Sequence, residues 1–320
     1  MKIMFFDIDG TLSPERIGAE IPESTIRSIH QAQKNGHLMF INTGRCMQNI
    51  EPQHRAIGFD GIVAGCGTNL YLGDRELFHI KRAPEICRRV LLSARAHKID
   101  IVFESKERIS YDHSRTLSEH ANNLLFRMRE RGYDLDEDVD LPGFVFDKFI
   151  IWDEPGCERD AFFDEIREWY QIIDRGNRFY EFVPHGYSKA TGIQAILDHY
   201  HLPLSAAHAV GDSTNDLPML DYVPHSIAMG NSSPASLFDR VEYVTADVDH
   251  DGIEQALRHY GFISTYFFLE GNKIPAVSVA SRVLQETETA GAFYIYFYFF
   301  FSALSLHRSF MRSVSRFNTR

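Results

Sequence analysis

Cysteine is scarce in this chain of 320 residues: four of them, Cys46, Cys66, Cys87 and Cys157, stand too far apart to form any CxxC pair. That spacing excludes a zinc knuckle and offers no disulfide framework, so a reducing compartment is the expectation. Positive charge is also short, with 33 Lys and Arg against 44 Asp and Glu and a net charge of -11. Nonspecific nucleic-acid binding is therefore disfavoured, because phosphate backbones are held by surplus Lys and Arg. An anionic ligand has to find local cations. The amino terminus lacks the basic, long apolar and small-residue sections of a secretory leader, since Asp7 interrupts its apolar run. A cytoplasmic location follows as an expectation. Internal repeats are absent too.

What is present begins with "MKIMFFDIDGTL", an apolar run that ends in two carboxylates, a glycine and a threonine. The hydrophobic fraction of 44% supports a large core and leaves room for two domains. Apolar strand-like runs alternate with amphipathic helical stretches: Ile3–Phe6, Glu23–Asn35, Leu38–Ile41, Cys46–Ala56 and Ile62–Val63. The rhythm returns in helix Ser188–Tyr200, strand Ala206–Val210, short helix Leu217–Asp221, strand Ser226–Met229 and helix Asp251–Tyr260. Such alternation predicts an α/β fold with a Rossmann-like parallel sheet covered by helices.

Between about Lys81 and Pro184 the pattern changes to helices separated by strands such as Ile101–Glu104, Arg108–Tyr111 and Val145–Trp152. This predicts an inserted α+β domain over 81–184, flanked by a core made of 1–80 and 185–262. The acidic stretch Tyr133–Gly143 has the character of an exposed loop. After Gly261 the rhythm stops, so 263–320 forms an atypical tail. Within it Ala290–Leu306 is uncharged and aromatic-rich, about 17 residues against the ~20 needed to cross a bilayer, and Arg308, Arg312, Arg316 and Arg320 follow. A membrane tether would rest on that run alone; the preferred expectation is an appended or aberrant tail that packs loosely or is disordered.

Asp7 and Asp9 stand at the carboxyl end of the first predicted strand, where open parallel sheets place their ligands. A solvated acidic turn remains open for them in isolation. A calcium loop does not, because Leu12 and Gly18 occupy the positions that require glycine and glutamate. A second acidic cluster, "VGDSTNDLPML", carries Asp212, Asn215 and Asp216 after another strand, and alone it could be a helix cap. If the two strands are neighbours, Asp7 and Asp212 can converge on one Mg²⁺, a hard cation that prefers oxygen ligands. Thr43-Gly44-Arg45 follows a strand and opens a helix, offering a hydroxyl and backbone N–H groups to an anion. Lys189 near a helix start is either a surface lysine or a counter-ion for phosphate. Together these pieces form the set that phosphoryl transfer needs, since attack on a phosphate dianion is opposed by charge until cations offset it. An aspartate is ionised at neutral pH and can act as a nucleophile directly.

Asp7-Ile8-Asp9-Gly10-Thr11, Thr43-Gly44-Arg45, Lys189 and Gly211-Asp212-Ser213-Thr214-Asn215-Asp216 resemble, in order and spacing, the four motifs of the haloacid dehalogenase-like phosphohydrolases. The long insert resembles the large α/β cap of the Cof-like branch, and the likeness continues through Gly230-Asn231 and Asp251-Gly252-Ile253 to about residue 262. The resemblance implies that Asp7 is the phosphoryl-accepting nucleophile and Asp9 the general acid/base. It implies Mg²⁺ held by Asp7, the backbone carbonyl of Asp9 and Asp212, with Asp216 supporting the metal site or Lys189. Thr43, Gly44, Lys189 and Asn215 would contact phosphate, with the Lys189 amine facing the acids across a phosphate-sized gap. Three departures stand out: Ala190 where glycine usually follows the lysine, Cys66 where asparagine is common, and the tail.

The expected activity is Mg²⁺-dependent hydrolysis of a small phosphomonoester, a sugar phosphate or a phosphorylated cofactor, through an aspartyl-phosphate. A sugar-phosphate mutase is one alternative and a non-catalytic phosphometabolite-binding protein another; the intact Asp9 argues for turnover. His185, Glu181 and Tyr187 lie close to Lys189 along the chain and face either the cleft or the packing of a strand edge. Asn231-Ser232-Ser233 matches a glycosylation sequon and is taken as a loop.

Overall fold

Strand β1, Ile3–Phe6, is wholly buried. Its side chains alternate between two cores: Met4 and Phe6 in one, Ile3 and Phe5 in the other. A strand covered on both faces has no polar side to show, which explains its unbroken apolar run. The structure, a computed structural model, describes residues 1–275 apart from 17, 115, 116, 131, 134, 137, 265, 270 and 271.

Helix α1 (Glu23–Lys34), strand β2 (Leu38–Asn42), the four-residue helix α2 (Pro52–Arg55) and strand β3 (Gly61–Ala64) follow. The single helix expected over Cys46–Ala56 is instead a 3-10 turn, Met47–Asn49, and α2. Pro52 is the reason: the residue before a proline is pushed out of the α region, and Glu51 has φ -60° and ψ 149°. Strands β4 (Asn69–Leu72) and β5 (Arg75–His79) form an antiparallel hairpin that periodicity does not reveal, because β5 is largely exposed.

Helix α3 (Pro84–Ala96) opens the insert. Strands β6 (Asp100–Glu104) and β7 (Ile109–Tyr111), helix α4 (Glu119–Glu130), strands β8 (Leu135–Asp136) and β9 (Lys148–Trp152), helix α5 (Arg159–Ile166) and strands β10 (Tyr170–Asp174) and β11 (Phe179–Pro184) complete it. Its six strands form one sheet in the order β10-β11-β9-β6-β7-β8. Strand β8 lies within the stretch expected to be loop. The β6–β9 register sets Val102 opposite Ile150 and Glu104 opposite Lys148. The odd-numbered Ile101, Phe103, Phe149 and Ile151 pack in one core with α3 and α5, while Val102, Ile150 and Trp152 pack in another with α4.

The chain returns through α6 (Lys189–Tyr200), β12 (Ala207–Ser213), α7 (Leu217–Leu220), β13 (His225–Ser233), β14 (Tyr243–Val244) and α8 (Gly252–His259). The first sheet then has the order β14-β13-β12-β1-β2-β3-β4-β5, parallel from β14 to β3. Helices α1 and α8 cover one face and α6 and α7 the other. The expected α/β architecture is present.

Beyond the compact unit Met1–Ile263, strands β15 (Tyr266–Leu269) and β16 (Asn272–Pro275) pair as an antiparallel hairpin. The apolar run 290–306 lies outside the described residues. Among those described, no helix is long and apolar enough to cross a membrane.

Candidate active site

Strands β1 and β12 are parallel neighbours, paired through Phe6 and Val210, so their carboxyl ends lie side by side. This brings the carboxylates of Asp7, Asp212 and Asp216 within 4.8 Å of one another, all buried. Two glycines make the approach possible. A Cβ on Gly10, whose φ is +71°, would lie 2.2 Å from Asp212 Oδ2, and one on Gly211 would lie 2.4 Å from Asp216 Cγ. Asn231, on β13 and not in a loop, donates to the Gly10 carbonyl at 2.8 Å and accepts from the Val248 N–H at 2.9 Å. Asp216 accepts from the backbone N–H of Asp212 and of Ser213, at 2.9 and 3.1 Å, which fixes the turn after β12.

Ser188 caps α6 in a capping box with Thr191, and Lys189 follows as the first helical residue. Lys189 is 1% exposed, and its Nζ lies 2.6 Å from Asp7 Oδ1 and 2.6 Å from Asp216 Oδ1. The amine is thus in direct contact with the acids, not across a gap. A buried ammonium is stable only where carboxylates offset its lost hydration. Burial alone would lower its pKa; Asp216 and Asp7 outweigh burial and hold the amine charged.

Lys189 does not neutralise three carboxylates. Burial, reinforced by Asp216, pushes Asp7 up to about 7, and burial with Asp216 and Asp7 pushes Asp212 up to about 9. Crowded, buried, oxygen-only donors with excess negative charge fit a hard divalent cation, whose charge would restore the ionised forms.

The side chain of Asp9 turns elsewhere. Arg45 grips its carboxylate with two nitrogens, Nη2 at 2.5 Å and Nε at 2.8 Å, and donates through Nη1 to the Asn49 carbonyl at 3.0 Å. No sequence signal distinguishes this partner, since Arg45 enters only as the third residue of a motif. Thr43 is buried, with its Oγ1 accepting from the Arg45 N–H at 3.1 Å. Asn215 accepts from the Ser213 hydroxyl.

A cavity of about 300 Å³ lies over these groups; Asp7, Asp9, Thr43, Gly44 and Asn215 line it from the first sheet. The insert supplies the opposite side. There Lys148 Nζ lies 2.7 Å from both Glu104 Oε2 and Glu181 Oε1, and Arg175 Nη1 lies 2.9 Å from Glu181 Oε2. Burial raises Glu104, whereas at Glu181 it is outweighed by Lys148 and Arg175, which hold that carboxyl down at about 2. Glu181 lines the cavity. His185 instead meets the Arg167 carbonyl at 2.8 Å, and Tyr187 stacks on Phe78 at 5.9 Å. Cys66 has φ +55° and points its thiol at Glu181 Oε1, 3.5 Å away; burial and Glu181 push its pKa up, which keeps it protonated and unreactive. Lys148, Glu104 and Arg175 were not legible as site residues: the register of β6, β9 and β11 brings Lys148 and Glu104 to Glu181, and Arg175 reaches it from the turn after β10.

Residues 4–257 match the family model of the haloacid dehalogenase-like hydrolases. YkrA of Bacillus subtilis is 28% identical over 267 residues, 82% of this chain and 98% of YkrA. The HMP-PP phosphatase of Cronobacter sakazakii is 26% identical, over 80% of this chain and 92% of the relative. Among solved structures, BT1666 from Bacteroides thetaiotaomicron superposes with a TM-score of 0.71 at 23% identity, covering 82% of this chain and 96% of that one. The sugar phosphatase BT4131 gives 0.69 at 24%, covering 82% and 100%. At such identities the structures speak to the fold.

Proposed function

The chain belongs to the haloacid dehalogenase-like hydrolases, and on that premise we propose that it is a Mg²⁺-dependent phosphatase of small phosphomonoesters that works through an aspartyl-phosphate at Asp7. The observation that carries the reading is the convergence of Asp7, Asp212 and Asp216 within 4.8 Å, with Lys189 2.6 Å from Asp7. The names of relatives support it: an HMP-PP phosphatase and a 5-amino-6-(5-phospho-D-ribitylamino)uracil phosphatase.

In this proposal a carboxylate oxygen of Asp7 attacks phosphorus, and the bond from phosphorus to the ester oxygen breaks. Asp9 gives the departing oxygen its proton. Asp9 then takes a proton from water, whose oxygen attacks the phosphorylated Asp7 and releases phosphate with the carboxylate restored. Lys189, charged and buried, favours the ionised form of Asp7 against burial and Asp216 and faces the incoming phosphate, while Thr43, Gly44 and Asn215 supply donors to its oxygens. Arg45 orients Asp9. Asp7, Asp212 and the Asp9 carbonyl would hold Mg²⁺, with Asp216 behind them; when bound, the ion offsets the negative charge of the phosphoryl oxygens.

Residues 1–80 and 185–262 act as the hydrolase core, and 81–184 act as a cap that closes over the substrate and excludes water. A cytoplasmic setting belongs to the same proposal and is consistent with four unpaired cysteines. The test is phosphate release from a panel of phosphomonoesters with Mg²⁺ and with EDTA, with products identified. Free phosphate that requires Mg²⁺ supports the reading; an isomerised sugar phosphate without free phosphate would replace it by a mutase.

A further inference from the structure

We infer that Asn42 is a positioning residue for the phosphate site: its buried amide sets the start of α6, and with it the Lys189 ammonium, against the Thr43-Gly44 segment. The inference rests on the phosphatase reading above and adds a residue to which that reading gives no role.

Along β2 the side chains alternate between the two cores of the first sheet. Met39 and Ile41 enter one, Leu38 and Phe40 the other. Asn42 follows on the face of Leu38 and Phe40, the one covered by α6 and α7, and it is 0% exposed. An apolar side chain is the ordinary occupant of such a position, because a buried amide loses its hydration and recovers it only through hydrogen bonds. The recovery here is partial. Nδ2 donates to the Lys189 carbonyl at 3.0 Å and meets Met219 Sδ at 3.6 Å, while Oδ1 has no hydrogen-bond partner among the described residues.

The helix does not need this bond. Within α6 the Lys189 carbonyl belongs to the regular ladder and accepts from the N–H four residues on. Asn42 brings a second donor to a carbonyl that is already satisfied, so what it contributes is placement. Thr43 and Gly44 follow it directly in the chain, whereas Lys189 lies 147 residues away. One side chain thus joins the two segments that the phosphatase reading sets around the same phosphate. Close packing supplies the rest of the seat: a Cβ on Gly192 would lie 2.3 Å from Val63 Cγ1, and one on Gly67 would lie 2.4 Å from the Ser188 carbonyl oxygen. Those contacts hold α6 close to β3 and the turn after it; the directional bond from Asn42 fixes where along β2 the helix begins. Lys189 Nζ stands 2.6 Å from both Asp7 and Asp216, so a small slide of α6 takes the ammonium away from one of them.

The experiment compares the full-length protein with Asn42→Leu, which is close in volume and removes the donor, in Mg²⁺-dependent hydrolysis of p-nitrophenyl phosphate. Three quantities are read: kcat/KM, the inhibition constant of inorganic phosphate, and the Mg²⁺ concentration for half-maximal activity. The expected result is a fall in kcat/KM of about 10- to 100-fold, the scale of a misplacement of about 1 Å. The inhibition constant of phosphate should rise by about tenfold, as for a weakened hydrogen bond to a charged group. The Mg²⁺ requirement should stay unchanged, because Asp212 does not depend on α6. If Asn42→Leu does not fold, Asn42→Ala, which removes the same donor, is read in the same way. A phosphate inhibition constant unmoved in a folded variant, or a Mg²⁺ requirement that rises along with it, overturns the inference. Failure of both variants to fold also overturns it, by making Asn42 a residue of the core alone. Each of these results leaves the phosphatase reading standing; no turnover of any phosphomonoester by the unsubstituted protein defeats both.

Discussion

Arg45 holds both oxygens of the Asp9 carboxylate, at 2.5 and 2.8 Å, with its own side chain only 14% exposed. A planar guanidinium can make this two-point contact and a lysine ammonium cannot. Arg45→Lys keeps the charge and loses the orientation. It should lower kcat by about 10- to 100-fold, the cost of a misplaced proton-transfer group, with little change in KM. Steady-state kinetics check this; an unchanged kcat would show that the pair does not position Asp9.

Asp212 stands in a buried cluster that is short of positive charge without a metal. Asp212→Asn should therefore act in opposite directions on function and stability. The Mg²⁺ concentration for half-maximal activity should rise by about tenfold or more. The melting temperature in EDTA should rise above that of the unsubstituted protein, because one of three crowded carboxylates is gone. A variant that melts lower in EDTA contradicts the electrostatic account.

The same crowding gives a pH dependence. Asp7 at about 7 and Asp212 at about 9 both lie above the 3.8 of an ordinary aspartate, so between roughly pH 4 and 9 the metal-free folded protein binds more protons than the unfolded chain. Their contribution is fully present below pH 4 and is lost as pH rises through the folded values. Mg²⁺ should remove most of that loss. Thermal denaturation in EDTA and in Mg²⁺ at about pH 5.5 and 8.5 should show the larger metal-induced rise at the higher pH; a rise that is larger at the lower pH would reverse the assignment.

Gly10 serves twice, through its φ of +71° and through the absence of a Cβ that would stand 2.2 Å from Asp212 Oδ2. Gly10→Ala should cost about 1–3 kcal/mol of stability, from the backbone strain alone, and weaken Mg²⁺ activation because Asp212 must shift. Gly36→Ala is the control for the first effect: φ is +82° there and nothing lies within 4 Å. If Gly10→Ala leaves Mg²⁺ activation as Gly36→Ala does, the contact with Asp212 is unimportant.

The parallel core was legible in the sequence because strands buried on both faces are apolar throughout, as Ile3–Phe6 shows. Asp7, Asp212 and Asp216 were legible as acids at strand ends, and their convergence follows from one strand-order assumption that the β1–β12 pairing meets. The helix over Cys46–Ala56 failed where a local rule at Pro52 overrode periodicity. Arg45 as the partner of Asp9, and Lys148 with Glu104 and Glu181, were hidden for another reason. Such contacts depend on rotamer and register between segments 33 to 44 residues apart, on which composition and spacing carry no information.

The most direct measurement is acid quenching during turnover of a phosphate-labelled substrate with Mg²⁺, followed by peptide mapping. The label should appear on the peptide that contains Asp7, and Asp7→Asn should lose both the label and about a thousandfold or more of the phosphate release. Mg²⁺-dependent release that persists undiminished in Asp7→Asn, or label trapped on a different carboxylate, would contradict the account.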